Sequence, residues 1–316
     1  MENFILNRIN LTVNNYKIAR MELRNDGDLL NHFASLVFSH YESEIPVERI
    51  KEIRKYIKAA TPRLSIFRGD VLYLISILIA SLDKSIEEEL IQNMFDYMNI
   101  LEEKFVEGAH LALTAYVLAR YGRDKDKEVL VQKMLDTYYV LKEKYYNITQ
   151  DDDYLVCALW ALNDIEPDVI NDFVENVFEH IADANIRSKN GIQGLANAIL
   201  LNGSSGHMYR SVEFIQQLEK RNIKIANQFL PLIGILYNIN PRRNVDLVEG
   251  VIEELCDQES EYEYYIDKGF RTIIAISIIA FCNNSENKVY IDELLAHGIL
   301  SFINSKNKGM FSEVLN

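Results

Sequence analysis

A segment of one form recurs along most of this chain with a period near 40 residues. Each copy begins with polar residues and continues as a mostly apolar run, as in DDDYLVCALWALND, which ends at Asp164. The copies end at Asp83, Gly122, Asp164, Ser204, Asn240 and Asn284, so that successive ends lie 39, 42, 40, 36 and 44 residues apart. Recurrence at such a period is typical of helical repeats, in which each unit packs against its neighbours.

A second kind of helix is predicted after each apolar segment. In residues 126–145, Leu130, Met134, Tyr138 and Leu141 recur at intervals of three or four residues, which is the spacing of one helix face. Similar patterns predict helices at 85–105, 167–181, 209–220, 245–256 and 287–303. The repeated unit is therefore predicted to be a helical hairpin, with the apolar helix inside and the amphipathic helix outside.

The rest of the chain fits the same all-α class. Residues 1–62 are predicted to form an N-terminal helical cap, with helices at 28–42 and 46–60 after one or two short helices in 2–24. The six hairpin units fill residues 63–316, and no change of composition marks a linker, so we predict a single domain over 1–316. An open α-solenoid and a closed α/α toroid both fit, because periodicity does not distinguish them.

The net charge limits the class of partner. A formal charge of -14 and a pI of about 5.0 predict a surface that repels nucleic acids and anionic membranes. We therefore expect a protein or peptide partner, no nucleic acid and no membrane, and a homo-oligomer is compatible with the same features. Tyr262, Tyr264 and Tyr265 lie in the acidic stretch 259–270, where tyrosines suit either protein contact or the packing of a long connection.

The cysteines and the apolar runs indicate a cytoplasmic protein. Cys157, Cys256 and Cys282 lie far apart in no paired motif, which suits a reducing compartment. The first residues show no export signal. The longest apolar runs, 71–82 and 272–282, are roughly half of the ~20 residues that a membrane-spanning helix needs.

Three consecutive aspartates, at positions 151, 152 and 153, raise the question of a metal site. Thr149 and Asp152 have the spacing of a capping box, and a negative charge in a first turn gains ~0.3–1 kcal/mol from the helix dipole. The residues one turn on are apolar, where an aspartate-rich metal motif needs a further acid. We therefore predict a helix start, with metal or general-acid chemistry as the alternative.

No other pattern supplies a recognisable catalytic site. The six histidines include no pair at the zinc-binding spacing of four residues, and the chain has no phosphate-binding or nucleophile motif. We expect neither a metal nor a cofactor. If the inner helices close into a toroid, however, Asp70, His110, Asp153 and Arg271 would meet at one rim as candidate catalytic or ligand-binding groups. The alternative is a ring of helix caps exposed to solvent.

Three segments carry a resemblance to a known family. They are LSIFRGDVLYLISILIA at 64–80, GAHLALTAYVLA at 108–119 and ITQDDDYLVCALWAL at 148–162, and residues 65–68 match a Ser-x-Phe-Arg element. The chain resembles, from about residue 5 to residue 300, a family of Gram-positive bacterial proteins known only as a domain of unknown function. The resemblance implies a bacterial, cytoplasmic, all-α protein and no activity.

Three functions fit these observations. The leading hypothesis is a helical-repeat binding or scaffold protein, because the hairpins recur and no catalytic motif is present. The alternative is an α/α-toroid enzyme or small-ligand binder with a polar site at the rim of the inner helices. A structural homo-oligomer is the third. The residues favour a role other than catalysis and leave enzyme activity open.

Overall fold

The computed structural model describes residues 2–181, 189–201, 205–236, 240–283 and 290–314, and these form helices joined by short connections, with no strand among them. In chain order the helices are α1 (Asn3–Glu22), α2 (Asp28–His40), α3 (Val47–Ala60), α4 (Gly69–Ala80), α5 (Glu87–Glu102), α6 (Ala109–Tyr121), α7 (Lys127–Lys144), α8 (Tyr154–Leu162), α9 (Pro167–Ile181), α10 (Lys189–Leu201), α11 (Ser205–Lys220), α12 (Leu230–Ile235), α13 (Pro241–Gln258), α14 (Ser260–Tyr264), α15 (Lys268–Asn283) and α16 (Ile291–Val314). The predicted all-α class is confirmed.

A helix lies in each segment for which the sequence predicts one, while the pairing of these helices into six repeated hairpins stays a prediction. The apolar helices are α4, α6, α8, α10, α12 and α15, and the amphipathic ones are α5, α7, α9, α11, α13 and α16. Two of the predicted segment ends, Ser204 and Asn284, lie outside the described residues, and a third, Asn240, is the first described residue after such a gap. The choice between solenoid and toroid stays a prediction. Among the described helices, none is both long enough and apolar enough to cross a membrane.

The chain divides into two compact units. Unit 1 consists of Met1–Val47 and Asn176–Asp292, and unit 2 consists of Glu48–Glu175 and Glu293–Asn316. This division does not coincide with the predicted boundary between a cap at 1–62 and hairpins at 63–316. The predicted single domain over 1–316 stays a prediction.

Unit 1 is built on the contact of α1 with α2, to which α15 adds. Ile5, Ile9 and Tyr16 follow one face of α1 at helical spacing and are fully buried. Arg8 on the same helix is also buried, because its guanidinium donates to the backbone carbonyls of Ser39 and His40 at the end of α2. Elsewhere in the unit α10 packs on α12, and α13 packs on α11 and α15.

Unit 2 is held by α6, which packs against α4, α5 and α8. Every residue of α8 is buried, including Trp160, and this explains why its sequence is apolar on all sides. Ser76, Ala115 and Cys157 occupy comparable positions in α4, α6 and α8 and are fully buried. Such small side chains let neighbouring helices approach closely.

Candidate functional site

The three aspartates form a helix start, but with a different partner from the predicted one. Asp151–Asp153 is a short 3-10 helix that leads directly into α8. The Asp153 carboxylate accepts a hydrogen bond from the backbone N–H of Gln150 at 3.0 Å, so the capping box joins Gln150 and Asp153. The predicted pair, Thr149 with Asp152, is wrong by one residue. The buried Thr149 hydroxyl instead donates to the Leu141 carbonyl, at 3.3 Å, at the end of α7.

His110 meets this aspartate turn through a second histidine, His297 of α16. The ring centroids of His110 and His297 are 5.5 Å apart. His297 Nε2–H donates to the Asp152 carbonyl at 2.6 Å, and the Asn304 amide donates to His110 Nε2 at 3.3 Å. We call His110, His297, Asn304 and Asp151–Asp153 the histidine centre. The structure thus brings His110 and the turn that contains Asp153 into one part of unit 2.

The protonation of His297 follows from these contacts. Because Nε2 carries the donated proton, Nδ1 of the neutral ring is a hydrogen-bond acceptor. That atom is buried, and it has no hydrogen-bond partner within the described part of the chain. Burial lowers the pKa of His297, against the opposing effect of the nearby Asp152. The ring is therefore neutral at physiological pH and offers one oriented acceptor.

The thiol beside the centre is inert. Burial raises the pKa of Cys157 well above its usual value, and the negative charge of Asp153 raises it further. Since the thiolate is the reactive form, Cys157 acts as a small apolar side chain in α8. All three cysteines, Cys157, Cys256 and Cys282, are free.

The other two candidate residues, Asp70 and Arg271, lie on two further helices. Asp70 lies half-buried in the first turn of α4 in unit 2. Arg271 lies on α15 in unit 1, where its guanidinium donates to the Tyr262 carbonyl at 2.9 Å and contacts Cys256 Sγ at 3.4 Å. Arg271 therefore stabilises the connection before α15. The meeting of Asp70, His110, Asp153 and Arg271 at one rim stays a prediction.

A metal ligand set is not found among the described residues, where no three side chains of histidine, cysteine, aspartate or glutamate are grouped so as to hold an ion. The expectation of no metal and no cofactor stays a prediction.

A surface groove that the sequence did not reveal lies elsewhere in unit 2. It has a volume of about 510 Å³ and runs between the connection at residues 61–68 and helix α5. Phe67 and Phe95 meet edge to face at 5.4 Å between ring centroids, and Met98 continues the apolar lining. Leu64 lines the groove and is 95% exposed. We call this feature the Phe67 groove.

Arg68 fixes the shape of the connection beside the groove. Its Nη1 donates to Thr61 Oγ1 at 2.6 Å and to the Phe67 carbonyl at 2.7 Å. Its Nη2 donates to the carbonyls of Lys58, Thr61 and Pro62, at 3.2, 3.0 and 2.8 Å. These include carbonyls that the end of α3 leaves without helical partners. The Ser-x-Phe-Arg element at 65–68 thus supplies both groove-lining residues and the side chain that holds them.

One end of the Phe67 groove is acidic. Glu102, the last residue of α5, and Glu107, in the connection to α6, both line it. Partial burial raises the pKa of Glu102, and the neighbouring charge of Glu107 raises it further. Within the described residues neither carboxylate forms an ion pair. The groove therefore combines an apolar floor with two carboxylates that lack a counterion.

The tyrosines of residues 259–270 divide between packing and exposure. Tyr262 is fully buried in unit 1, and its ring lies 5.9 Å from that of Tyr16. Tyr264 and Tyr265 are exposed. Packing thus explains Tyr262, and protein contact by the other two stays a prediction.

Comparison with known proteins adds one finding. Searches of the curated proteins and of the solved structures found no significant match to the chain. A family model does match, over almost the whole chain, which confirms the resemblance inferred from the sequence, while a Gram-positive origin stays a prediction. The chain belongs to the family described as a protein of unknown function (DUF4003), whose model matches residues 15–308.

Proposed function

We propose that the protein is a helical binding or scaffold protein, and that it holds a segment of a partner protein in the Phe67 groove. The observation that supports this most directly is the exposure of Leu64 beside an apolar floor of Phe67, Phe95 and Met98. Exposed apolar surface of this kind is typical of binding sites. Val106 adds a second exposed aliphatic side chain, 74% accessible, next to the groove residue Glu107.

The energetics of the groove favour a protein ligand. Full burial of a leucine side chain gains about 1.5–3 kcal/mol, so covering Leu64 alone would contribute substantially to binding. Phe95, which is half-buried and packs edge to face on the buried Phe67, offers an apolar surface to an aliphatic or aromatic side chain of the partner. Because Arg68 already orders the 61–68 connection, little conformational entropy is lost when the groove is filled.

The experiment is selection from a display library of random 12-residue peptides on the full chain, followed by titration of the selected peptides. Leu64→Ser should weaken binding at least tenfold, because it removes an exposed contact and leaves the fold unchanged. Val129→Ser is the matched control, since Val129 is an exposed valine on α7 of the same unit and does not line the groove. Failure to select any peptide, or equal binding to Leu64→Ser, would contradict the proposal.

The bacterial cytoplasm is the proposed location. The free state of the three cysteines, Cys157, Cys256 and Cys282, supports a reducing compartment. The net charge of -14 supports a protein partner, with neither nucleic acid nor membrane as the ligand. A homo-oligomer is compatible with the proposal where the partner segment comes from a second copy.

A second candidate function is an enzyme or small-ligand binder at the histidine centre. The observation that favours it is His297, whose Nδ1 is a buried acceptor while the Asp152 carbonyl fixes the ring. A histidine oriented in this way suits a general base or a polar ligand contact. A thermal-shift screen of small polar metabolites tests it: a compound that stabilises the wild type and not His297→Phe supports it, and the lack of any such compound contradicts it.

A further inference from the structure

We infer that the partner segment held in the Phe67 groove carries a lysine or arginine beside its apolar anchor, and that Glu102 and Glu107 bind this cation. The inference rests on the proposed function of the groove and specifies the chemistry of its ligand.

The charge at one end of the groove favours a cation. Glu102 and Glu107 are two like charges on the same lining, and neither has a counterion among the described residues. Lys104 lies between them in sequence, but its Nζ donates to Gln132 on α7 at 2.7 Å. Arg68 is occupied by backbone carbonyls. Arg63, between the lining residues Pro62 and Leu64, forms no ion pair with either carboxylate among the described residues. A cation supplied by a ligand would remove the repulsion between the two carboxylates.

The direction of α5 favours a cation at the same end. Glu102 is the last residue of this helix, so the acidic end of the groove coincides with the carboxyl end of the helix dipole. The carbonyl groups of the last turn carry a partial negative charge, which also favours a cation. Two carboxylates and the dipole therefore act in the same direction.

The spacing along α5 sets where the cation should stand in the ligand. Met98 and Glu102 are separated by one helical turn on the same face, which corresponds to about 6 Å along the axis. An extended segment covers about that distance in two residues, and a helical one in about four. We therefore expect the basic residue two positions from the apolar anchor in an extended ligand and about four positions away in a helical one.

The test uses the peptides selected from the 12-residue library. Sequencing should show lysine or arginine enriched at one of these two spacings from an aliphatic or aromatic residue. The double variant Glu102→Gln, Glu107→Gln should then bind a selected peptide about three- to tenfold more weakly, and the loss should shrink at high salt. A peptide with its basic residue changed to glutamine should bind the wild type and the double variant equally.

The control variant is Glu88→Gln, Glu89→Gln. It makes the same change of net charge at exposed positions in the first turn of α5, far from the acidic end, and should leave peptide binding unchanged. If it weakens binding as much as the groove variant does, the effect is one of overall charge and the inference is wrong.

The outcomes separate this inference from the proposed function. Peptides that lose affinity on Leu64→Ser but show no basic enrichment would overturn the cation site and leave the groove as a binding site. If no peptide binds and the wild type does not self-associate, both fall. Self-association of the wild type that Leu64→Ser abolishes, without peptide binding, would identify a second copy as the occupant and overturn the inference.

Discussion

The stability of unit 1 should fall in mild acid because of one buried histidine, His32 of α2. Its ring stacks on Tyr16, with 4.0 Å between centroids and 1° between planes, and lies 5.2 Å from the ring of Tyr262. Both ring nitrogens are buried and have no hydrogen-bond partner in the described structure. Burial lowers the pKa of His32 to about 4 from its usual 6.5.

The charged groups around the ring modify this effect without reversing it. Asp28, at the start of α2, raises the pKa of His32, and Arg20 on α1 lowers it, but burial is the largest influence. On α14, Glu261 has a raised pKa because of burial and its hydrogen bond with Asp28. A raised carboxyl pKa contributes stability that is present in acid and lost as the pH rises, so the effect of Glu261 on the pH dependence is opposite in sign to that of His32.

The magnitude follows from the difference between the two pKa values of His32. The unfolded chain binds a proton below about pH 6.5, whereas the folded one does so only below about pH 4. The stability from the neutral ring is therefore complete above pH 6.5 and is lost progressively as the pH falls to 4. Each unit of pKa difference corresponds to about 1.4 kcal/mol, so the full loss is about 3 kcal/mol, of which about 2 occurs between pH 7.5 and pH 5.

Urea unfolding of the wild type and of His32→Phe at several pH values measures this loss. Phenylalanine keeps the stack on Tyr16 and cannot take up a proton, so the free energy of unfolding of the variant should fall about 2 kcal/mol less between pH 7.5 and pH 5. The control is His180→Phe, at an exposed histidine of unit 1. If wild type and His32→Phe lose stability in parallel over this range, the argument from burial is refuted.

Three further changes have defined outcomes. Gly122→Ala should lower the free energy of unfolding by about 1–3 kcal/mol in urea titrations, because its Cβ would lie 2.7 Å from the Leu118 carbonyl oxygen; unchanged stability would show that the backbone relaxes. Glu293→Ala should lower the free energy of unfolding by about 3 kcal/mol, because it leaves the guanidinium of Arg120 without its buried carboxylate. Adding Arg120→Ala should recover part of this loss, and strict additivity of the two single-variant losses would contradict the pairing. Arg68→Lys should increase proteolytic cleavage within residues 61–68, since an ammonium cannot replace the planar fork, and cleavage at the wild-type rate would contradict its role.

The helices could be predicted from the sequence where one periodic pattern decides the outcome. The bounds of α9, Pro167–Ile181, agree with the prediction because its apolar positions repeat clearly and Pro167 marks its first turn. For residues 2–24 the sequence predicts one or two short helices, where the structure has the single 20-residue helix α1. Its inward face includes the polar residues Arg8, Thr12 and Asn15, all buried. Their partners include Ser39 and Ser43, far along the chain, so local periodicity could not identify them as core.

The candidate site was predictable only in part, for the same reason. The turn at Asp151–Asp153 and His110 both stand at helix starts, and that local signal marked them. His297 and Asn304 were missed because they lie within α16 and not at its start. They are seven positions apart, a spacing that places them on one helix face. Asn304 is 194 residues from His110, and no local pattern reports such a contact. Arg271 also stands at a helix start, but that helix belongs to unit 1.

The Phe67 groove depends on a side chain whose role only the folded connection reveals. Arg68 looks like a polar entry to α4, yet its guanidinium points back to the carbonyls at the end of α3. Gly69 then allows the chain to turn into α4, because its φ of 59° is a backbone conformation that residues with a Cβ disfavour. Ordering one residue costs roughly 1–2 kcal/mol of conformational entropy, so a flexible 61–68 segment would lose most of the free energy gained by covering Leu64. Since folding already orders this segment, a ligand that covers Leu64 would not lose this entropy again, and we therefore expect Arg68 to raise the affinity of the groove by holding its shape.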